Sequence, residues 1–375
     1  MISLAERPKG RRAAIGMMYE KTDISEQISR DIESFSYSDV AASKSDSVSI
    51  TIRASEDKWK GEWMPDKGAK LYPSIIVYDW NIGGVVNGVR PYSAECGAFM
   101  VEETSFSASP DKLSISGVAK PNDTSFGARR RTFTWKETSI KNIAKKIGER
   151  YGLQVKFDAE DQQVDAKEQD ATDSAFLQDL CETYALVIKV YAQQLWIYDR
   201  EKYKQKSAVW TAYKEMPKNN RTAICVESGS FSWSTSTTGT YTGGIYTYTN
   251  KKKGINISVT VGTEERQLKL TGKVSSEADA KARLKAAIRN ANHGSTSCSF
   301  TIIGYPVAAS AQCINISGFG SKIDGKYFVD LIQRDSLFIR KSWRSRTMQT
   351  AESVLSCTRA IPICWRCSNT FPVCC

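Results

Sequence analysis

Histidine is nearly absent: one residue, His293, in a chain of 375. A single imidazole excludes a multi-histidine metal centre, and a Ser-His-Asp triad would have to use this one residue. His293 follows a helical pattern and precedes Gly294, so its expected place is a helix end, helping to satisfy terminal carbonyls. No run of 18 apolar residues occurs, so no helical membrane span is expected. Met1 to Arg12 carries charge but is not followed by an apolar core and a small-residue cleavage site. No secretory signal is read there, which makes reduced thiols the default. A fixed repeat of 20–50 residues is also missing.

Paired metal-binding cysteines are scarce although the chain has ten cysteines. Five of them, Cys357, Cys364, Cys367, Cys374 and Cys375, crowd into the last nineteen residues. Cys364 and Cys367 have metal-ligand spacing, but adjacent Cys374 and Cys375 make a poor second pair, so no metal site is assigned. Cys181 lies in an apolar helical pattern and reads as a buried thiol. Acid/base pairs fare no better. Glu102 and Glu103 are neighbours on a predicted strand and point to opposite faces. Glu160–Asp161 and Glu264–Glu265 fall in predicted turns, and none of these pairs predicts the two carboxyls facing one cleft that glycoside hydrolysis needs. Gly318-Phe319-Gly320 and Gly83-Gly84 lack the strand-turn-helix setting of a phosphate loop. Trp59 and Trp63 beside Lys58 and Lys60 read as a packed edge rather than a base-stacking surface. The sequence therefore assigns no catalytic, cofactor-binding or metal residue, and no cofactor.

What is present is an ordinary globular composition, 41% hydrophobic and 25% charged, with a net charge of +11. Its basic clusters are short: Arg129-Arg130-Arg131, Lys145-Lys146 and Lys251-Lys252-Lys253. They read as solvated turns or helix faces, so direct nucleic-acid binding is not expected. The length suits two or three domains. Residues 1–134 are mainly β, with alternation at Ser47–Ile52, 98–107 and 112–118, and a β-branched and aromatic run at Ile75–Tyr78. Residues 24–35 fit a helix or a strand equally well. Residues 135–204 form a small α/β module. A helix is expected from about Ser139 to Tyr151, with Gly152 as its C-cap, and another after Asp173. Strands follow each helix, at Leu153–Phe157, then at Val187–Val190 and Gln194–Tyr198. Residues 205–345 return to β, with Ile224–Trp233 strand-like, a Ser/Thr/Gly/Tyr hairpin at 234–249 and one helix at 275–292. Strands are then expected at Ser297–Ile303, Gln312–Ile316 and Lys326–Ile332. Residues 346–375 show no periodicity and are taken as a cysteine-rich tail of uncertain structure, removable beyond about Ser345.

Two stretches resemble the late-control protein D family, the baseplate hub proteins of contractile-tail phages and tail-like particles. The first runs from Thr134-Trp135 through Ser139-Ile140-Lys141-Asn142-Ile143-Ala144 to Gly152-Leu153, and is completed by Gln169 to Leu180, where Thr172-Asp173-Ser174 replaces the family's Ser-Asp order. The second comprises Ser275 to Ala291, Ile314-Asn315-Ile316-Ser317-Gly318-Phe319-Gly320 and Asp324-Gly325-Lys326-Tyr327-Phe328-Val329. Together they span roughly residues 45–332. The resemblance implies a β-dominated α+β fold: two tube-like antiparallel β-barrels with the α/β module between them. It implies a structural, non-enzymatic subunit of the virion tail baseplate, assembled in the host bacterial cytoplasm. It further implies a homotrimer whose six barrels join the hexameric tail tube protein to the trimeric central spike protein, among other baseplate proteins. One departure stands out. After Phe338 the family's histidine, glycine-tyrosine turn and final strand give way to a basic, then cysteine-rich run, which reads either as a divergent tail or as an altered reading frame. A tail-associated cell-wall hydrolase or wall-binding protein is the alternative, and it requires a cleft with a coherent acid/base pair.

Overall fold

The structure is a computed structural model that describes residues 12–42, 45–78, 92–191, 193–220, 222–250, 255–303, 305, 307–342 and 345–359. The first β region holds β1 (Arg12–Tyr19), β2 (Thr22–Asp23), α1 (Ser25–Asp31), β3 (Ile32–Val40), β4 (Ser47–Arg53), β5 (Lys70–Tyr78), β6 (Tyr92–Glu95), β7 (Phe99–Ser107) and β8 (Lys112–Val118). Alternation decides these strands: Val48, Ile50 and Ile52 of β4 and Leu113 and Ile115 of β8 are buried, with the residues between them turned outward. The segment that fitted a helix or a strand equally well is both in turn, α1 and then β3.

The module holds α2 (Ser125–Ala128), β9 (Arg130–Ser139), α3 (Ile140–Arg150), β10 (Gln154–Asp158), β11 (Gln163–Thr172), α4 (Asp173–Thr183), β12 (Leu186–Tyr191), β13 (Gln194–Asp199) and α5 (Arg200–Lys204). Ser139 caps α3 by accepting from the Asn142 N–H at 3.3 Å, and Thr172 caps α4 by accepting from the Ala175 N–H at 3.2 Å. Ile140, Ile143, Ala144 and Ile147 lie on the buried face of α3, at about 2–3 kcal/mol for each isoleucine. Gly152 ends α3 at φ +63, a conformation that favours glycine. The antiparallel ribbon β9–β11 contains a strand the sequence did not reveal. Only Val164 and Gln169 of β11 are buried, so it lacks an apolar rhythm.

The second β region holds β14 (Trp210–Tyr213), β15 (Ile224–Cys225), β16 (Ser232–Thr235), β17 (Gly243–Asn250), β18 (Ile255–Gly262), β19 (Gln267–Thr271), α6 (Glu277–Asn292), β20 (Thr296–Ile303), β21 (Cys313–Ser317), β22 (Gly325–Ser342) and β23 (Ser345–Arg359). The expected strand at Ile224–Trp233 is instead two short strands separated by a turn, with Gly229 at φ +81. The Ser/Thr/Tyr tract supplies β17 of a separate three-stranded sheet, β18-β17-β19. Tyr246, Tyr248 and Val259 of this sheet pack with Ala280, Leu284 and Ile288 of α6.

One 15-stranded sheet runs through both β regions: eleven strands follow the order β15-β14-β21-β22-β3-β4-β8-β7-β5-β1-β2, and β6, β16, β20 and β23 pair off this path. Its joint is β22. The start of β22 pairs with β21, and its later residues pair with β3 from Leu331↔Val40 to Leu337↔Ser34. Along its other edge β22 pairs with β23, which also pairs with β20. Leu355 and Cys357 of β23 are fully buried. Residues 346–359 thus have a place in the sheet that their sequence pattern did not reveal, and cutting near Ser345 removes two core side chains. Residues 360–375, with Cys364, Cys367, Cys374 and Cys375, lie outside the described residues, as do Gly83-Gly84 and Lys251-Lys252-Lys253.

The fold is β-dominated α+β, as the sequence pattern indicates. Neither β region is closed by a continuous ladder among the described residues. In the second region the single bridge Val226↔Ile302 links the end of β15 to β20, so pairings β14-β15-β20-β23-β22-β21 return on themselves. In the first, β23 runs close to β1.

Candidate functional site: the junction of the three regions

Strand β12 has two faces. Leu186, Ile188 and Val190 pack into the core of the module, while Val187 faces a separate cluster with Ala41, Tyr198, Tyr203, Cys313 and Phe328. Lys189 shares the parity of Val187 and is buried where the three regions meet. Its Nζ donates to Asp39 Oδ1 at 2.7 Å and to the Val40 carbonyl at 2.9 Å, and it lies 2.9 Å from Asp46 Oδ1. Asp39 belongs to β3 of the first region. Its carboxylate also accepts from the Ser310 N–H at 2.8 Å and the Ser310 hydroxyl at 2.6 Å, which brings in the loop before β21. Asp46 accepts from the Val40 N–H at 2.9 Å. Alongside, the Tyr198 hydroxyl donates to the Ala41 carbonyl at 2.7 Å.

Two carboxylates share one ammonium here, in surroundings that disfavour charge. Burial opposes ionisation of Asp39, but Lys189 and Ser310 outweigh it and hold its pKa below the ordinary value. Burial raises the pKa of Asp46 to about 6, with Lys189 opposing and the Asp39 charge adding to it. Burial likewise opposes the charge on Lys189, and the two aspartates overcome it and raise its pKa. Asp46 Oδ2 is buried with no hydrogen-bond partner.

A second buried acid organises the module. Asp173 is the first residue of α4, where a carboxylate suits the helix dipole. It accepts from the Tyr151 hydroxyl at 2.6 Å, Gln169 Nε2 at 2.6 Å, Arg131 Nε at 3.1 Å and Arg150 Nη1 at 3.2 Å. Gln169 Oε1 in turn accepts from Trp135 Nε1 at 2.9 Å. Burial would raise the Asp173 pKa, but these partners outweigh it and lower it.

The residues singled out in the sequence do not converge. His293 takes the C-cap position of α6 and lies 3.1 Å from Asp330 through Nε2. The register of β7 against β8 shifts between Val101 and Glu103, so Glu102 sits in a β-bulge, and Glu102 and Glu103 are both exposed rather than divided between the two faces. Asp161 accepts from the Lys141 N–H at 3.0 Å, at the start of α3, and Glu264 and Glu265 lie in an exposed turn. Gly318 and Phe319 donate backbone N–H groups to Asp324 at 3.0 and 2.8 Å, closing the turn between β21 and β22. Trp59 is buried, meets Trp63 edge to face at 5.5 Å and donates Nε1–H to Asp31 at 2.7 Å. Cys181 is fully buried, and burial pushes its thiol pKa up to about 12. No group of three or more potential metal ligands occurs among the described residues, and no described helix is long and apolar enough to cross a membrane.

The fold is that of phage tail proteins. The chain is similar to the 43 kDa tail protein of prophage MuSo2 from Shewanella oneidensis, at a TM-score of 0.63 and 11% identity over 93% of this chain and 98% of that one. It is equally similar to the tail protein from Neisseria meningitidis MC58, at a TM-score of 0.63 and 12% identity over 92% and 96% of the two chains. The E. coli c3393 protein, a type VI secretion system component described as structurally similar to the T4 phage tail proteins gp27 and gp5, matches at a TM-score of 0.51 and 12% identity, over 88% of this chain and 73% of its own. No family model matches the sequence, and no curated protein does.

Proposed function

We propose that the chain is a structural subunit of a contractile phage tail or related injection machine, the hub between tail tube and central spike. The observation that carries this reading is the match of nearly the whole chain to nearly the whole of a phage tail protein. The late-control protein D motifs at Thr134–Leu180 and Ser275–Val329 supply the hub assignment, and the two β regions on either side of a module agree with it. In this reading residues 1–134 and 205–345 are two tube-like barrels around the 135–204 module, and 346–359 belong with the second barrel. Three copies place six barrels in a ring. This matches a hexameric tube while keeping threefold symmetry for a spike, and closed symmetry prevents open-ended polymerisation. The subunit is not an enzyme: its paired carboxylates are exposed at a bulge or in turns, and its buried ones are engaged in structural ion pairs. It acts in the virion baseplate after assembly in the host cytoplasm.

The test is the copy number in the assembled particle, by electron cryomicroscopy or quantitative mass spectrometry. Three copies at the end of the tube are expected, and one or six would overturn the hub assignment. Cell-wall hydrolysis by the purified chain, abolished by one carboxylate substitution, would replace it with the hydrolase reading.

A further inference from the structure

A cavity of about 640 Å³ opens beside the Lys189 cluster, walled by all three regions of the chain. Its cations are arranged in an unusual way. Lys156 of β10 stands opposite Trp196 of β13 in the parallel register, with its Nζ 4.7 Å from the centre of the indole ring. Lys206 holds its Nζ 3.2 Å from the centre of the Tyr203 ring. The Arg334 guanidinium lies 5.3 Å from the Tyr37 ring centre and donates Nη2–H to the Ala308 carbonyl. None of the three has a carboxylate within ion-pair distance among the described residues, whereas Lys189 has two.

The lining also holds Glu95 and the Lys189–Asp39 pair, which together with Asp46 carries one net negative charge when both acids are ionised. The wall is therefore positive by one charge. Glu95 accepts from its neighbour Ser93 at 2.9 Å. A second observation is independent of charge: Arg334 Nε is buried with no hydrogen-bond partner. Buried donors are almost always satisfied, so this orphan leaves the Arg334 guanidinium, part of a cavity-lining residue, short of one acceptor. Lys156 and Lys206 stand on the exposed rim, where they attract an anion without closing the entrance.

We propose that this cavity binds a small oxyanion, a phosphate or a carboxylate, held by Arg334 at the floor and by Lys156 and Lys206 at the rim. The aromatic rings hold the three cations in place before binding, and a cation donating to an oxyanion makes a charge-assisted hydrogen bond. The ligand has two possible sources, a free ion or an acidic side chain of a protein segment that reaches the junction. The site is a property of the single chain and stands or falls independently of the hub reading.

The experiment is isothermal titration of the full-length chain with two probes, inorganic phosphate and a hexaglutamate peptide, at low ionic strength. Saturable binding of at least one probe is expected, weakened about tenfold or more in Lys156→Gln/Lys206→Gln, which removes two charge-assisted contacts. Because both lysines are exposed, the double variant should unfold at the temperature of the unsubstituted chain, so a lost ligand is distinguished from a lost fold. Arg334→Gln should weaken binding further, and its thermal unfolding is followed in parallel. Tighter binding of phosphate assigns a free ion, and tighter binding of hexaglutamate assigns a protein segment. No saturable binding of either probe, or equal affinity in the double variant, overturns the proposal.

Discussion

The module and the junction both bury aspartate, with opposite balances of charge. In the module one carboxylate, Asp173, meets two guanidiniums, a phenol and an amide. At the junction two carboxylates, Asp39 and Asp46, share the single ammonium of Lys189. An acid with surplus donors keeps its charge, while a surplus acid with too few donors resists ionisation. The first arrangement fixes a helix start under all ordinary conditions. The second ties three regions together and is strained by its own excess charge near neutrality. A buried ion pair is thus a poor guide to stability until its partners are counted.

The largest expected effect comes from removing the one cation at the junction. Lys189→Met should cost about 3–5 kcal/mol, because two buried carboxylates lose their counter-ion. Urea unfolding of the full chain at pH 7 measures it, and a loss below about 1 kcal/mol would mean that solvent reaches these acids. Next comes Asp173→Asn, expected to cost about 2–3 kcal/mol as charge-assisted hydrogen bonds are lost. The same change at the junction, Asp46→Asn, should have the opposite sign. It removes the surplus charge while leaving an oxygen for the Val40 N–H, and a gain of about 1 kcal/mol at pH 7 is expected. Equal signs for the two aspartate-to-asparagine variants would break the comparison.

The smallest effect is a slope with pH. Asp46 has a folded pKa of about 6, above the roughly 3.9 of an unfolded aspartate. The folded chain therefore binds this proton more tightly than the unfolded one. The penalty of its charge is full above pH 6 and disappears as the pH falls towards about 4, so stability should rise on going from about pH 7.5 to pH 5. Asp39 and Asp173, whose pKa values are lowered, act the other way. Their contribution is full above the unfolded pKa, and is lost as the pH falls below about 4 through their folded values. Asp46→Asn should flatten the upper slope and leave the acid limb. An unchanged slope, read from urea midpoints across this range, would locate the titration elsewhere.

The elements whose register is set by local chemistry were legible in the sequence. Helices α3 and α4 combine a capping hydroxyl with a periodic apolar face, and both begin within a residue or two of their expected starts. The α+β class was legible for the same reason. What escaped were elements held by pairing rather than by burial. Strand β11 is mostly exposed, and the far half of β22 runs through Gln333-Arg334-Asp335, where β3 and β23 on its two edges supply the order that the side chains do not. The junction escaped because its members lie far apart in sequence: Lys189 and Asp39 are separated by 150 residues, and Ser310 and Asp39 by 271. One local signal was available. Lys189 interrupts the otherwise apolar Leu186-Val187-Ile188-Val190 run, and a cation in a buried strand requires a partner.

The long β22 has a consequence for biosynthesis. Both β3 and β21 leave the ribosome before the strand that completes their hydrogen bonding, and Val40 must wait for Leu331. Until then each presents an unpaired edge, the feature through which incomplete β-proteins join their neighbours wrongly. The chain cannot finish its first region, however early that region is translated, before the last of its strands emerge. Completion of the first region is therefore a late event, slow in the manner of pairings between distant segments, and chaperones that shield open strand edges should raise the yield of soluble protein.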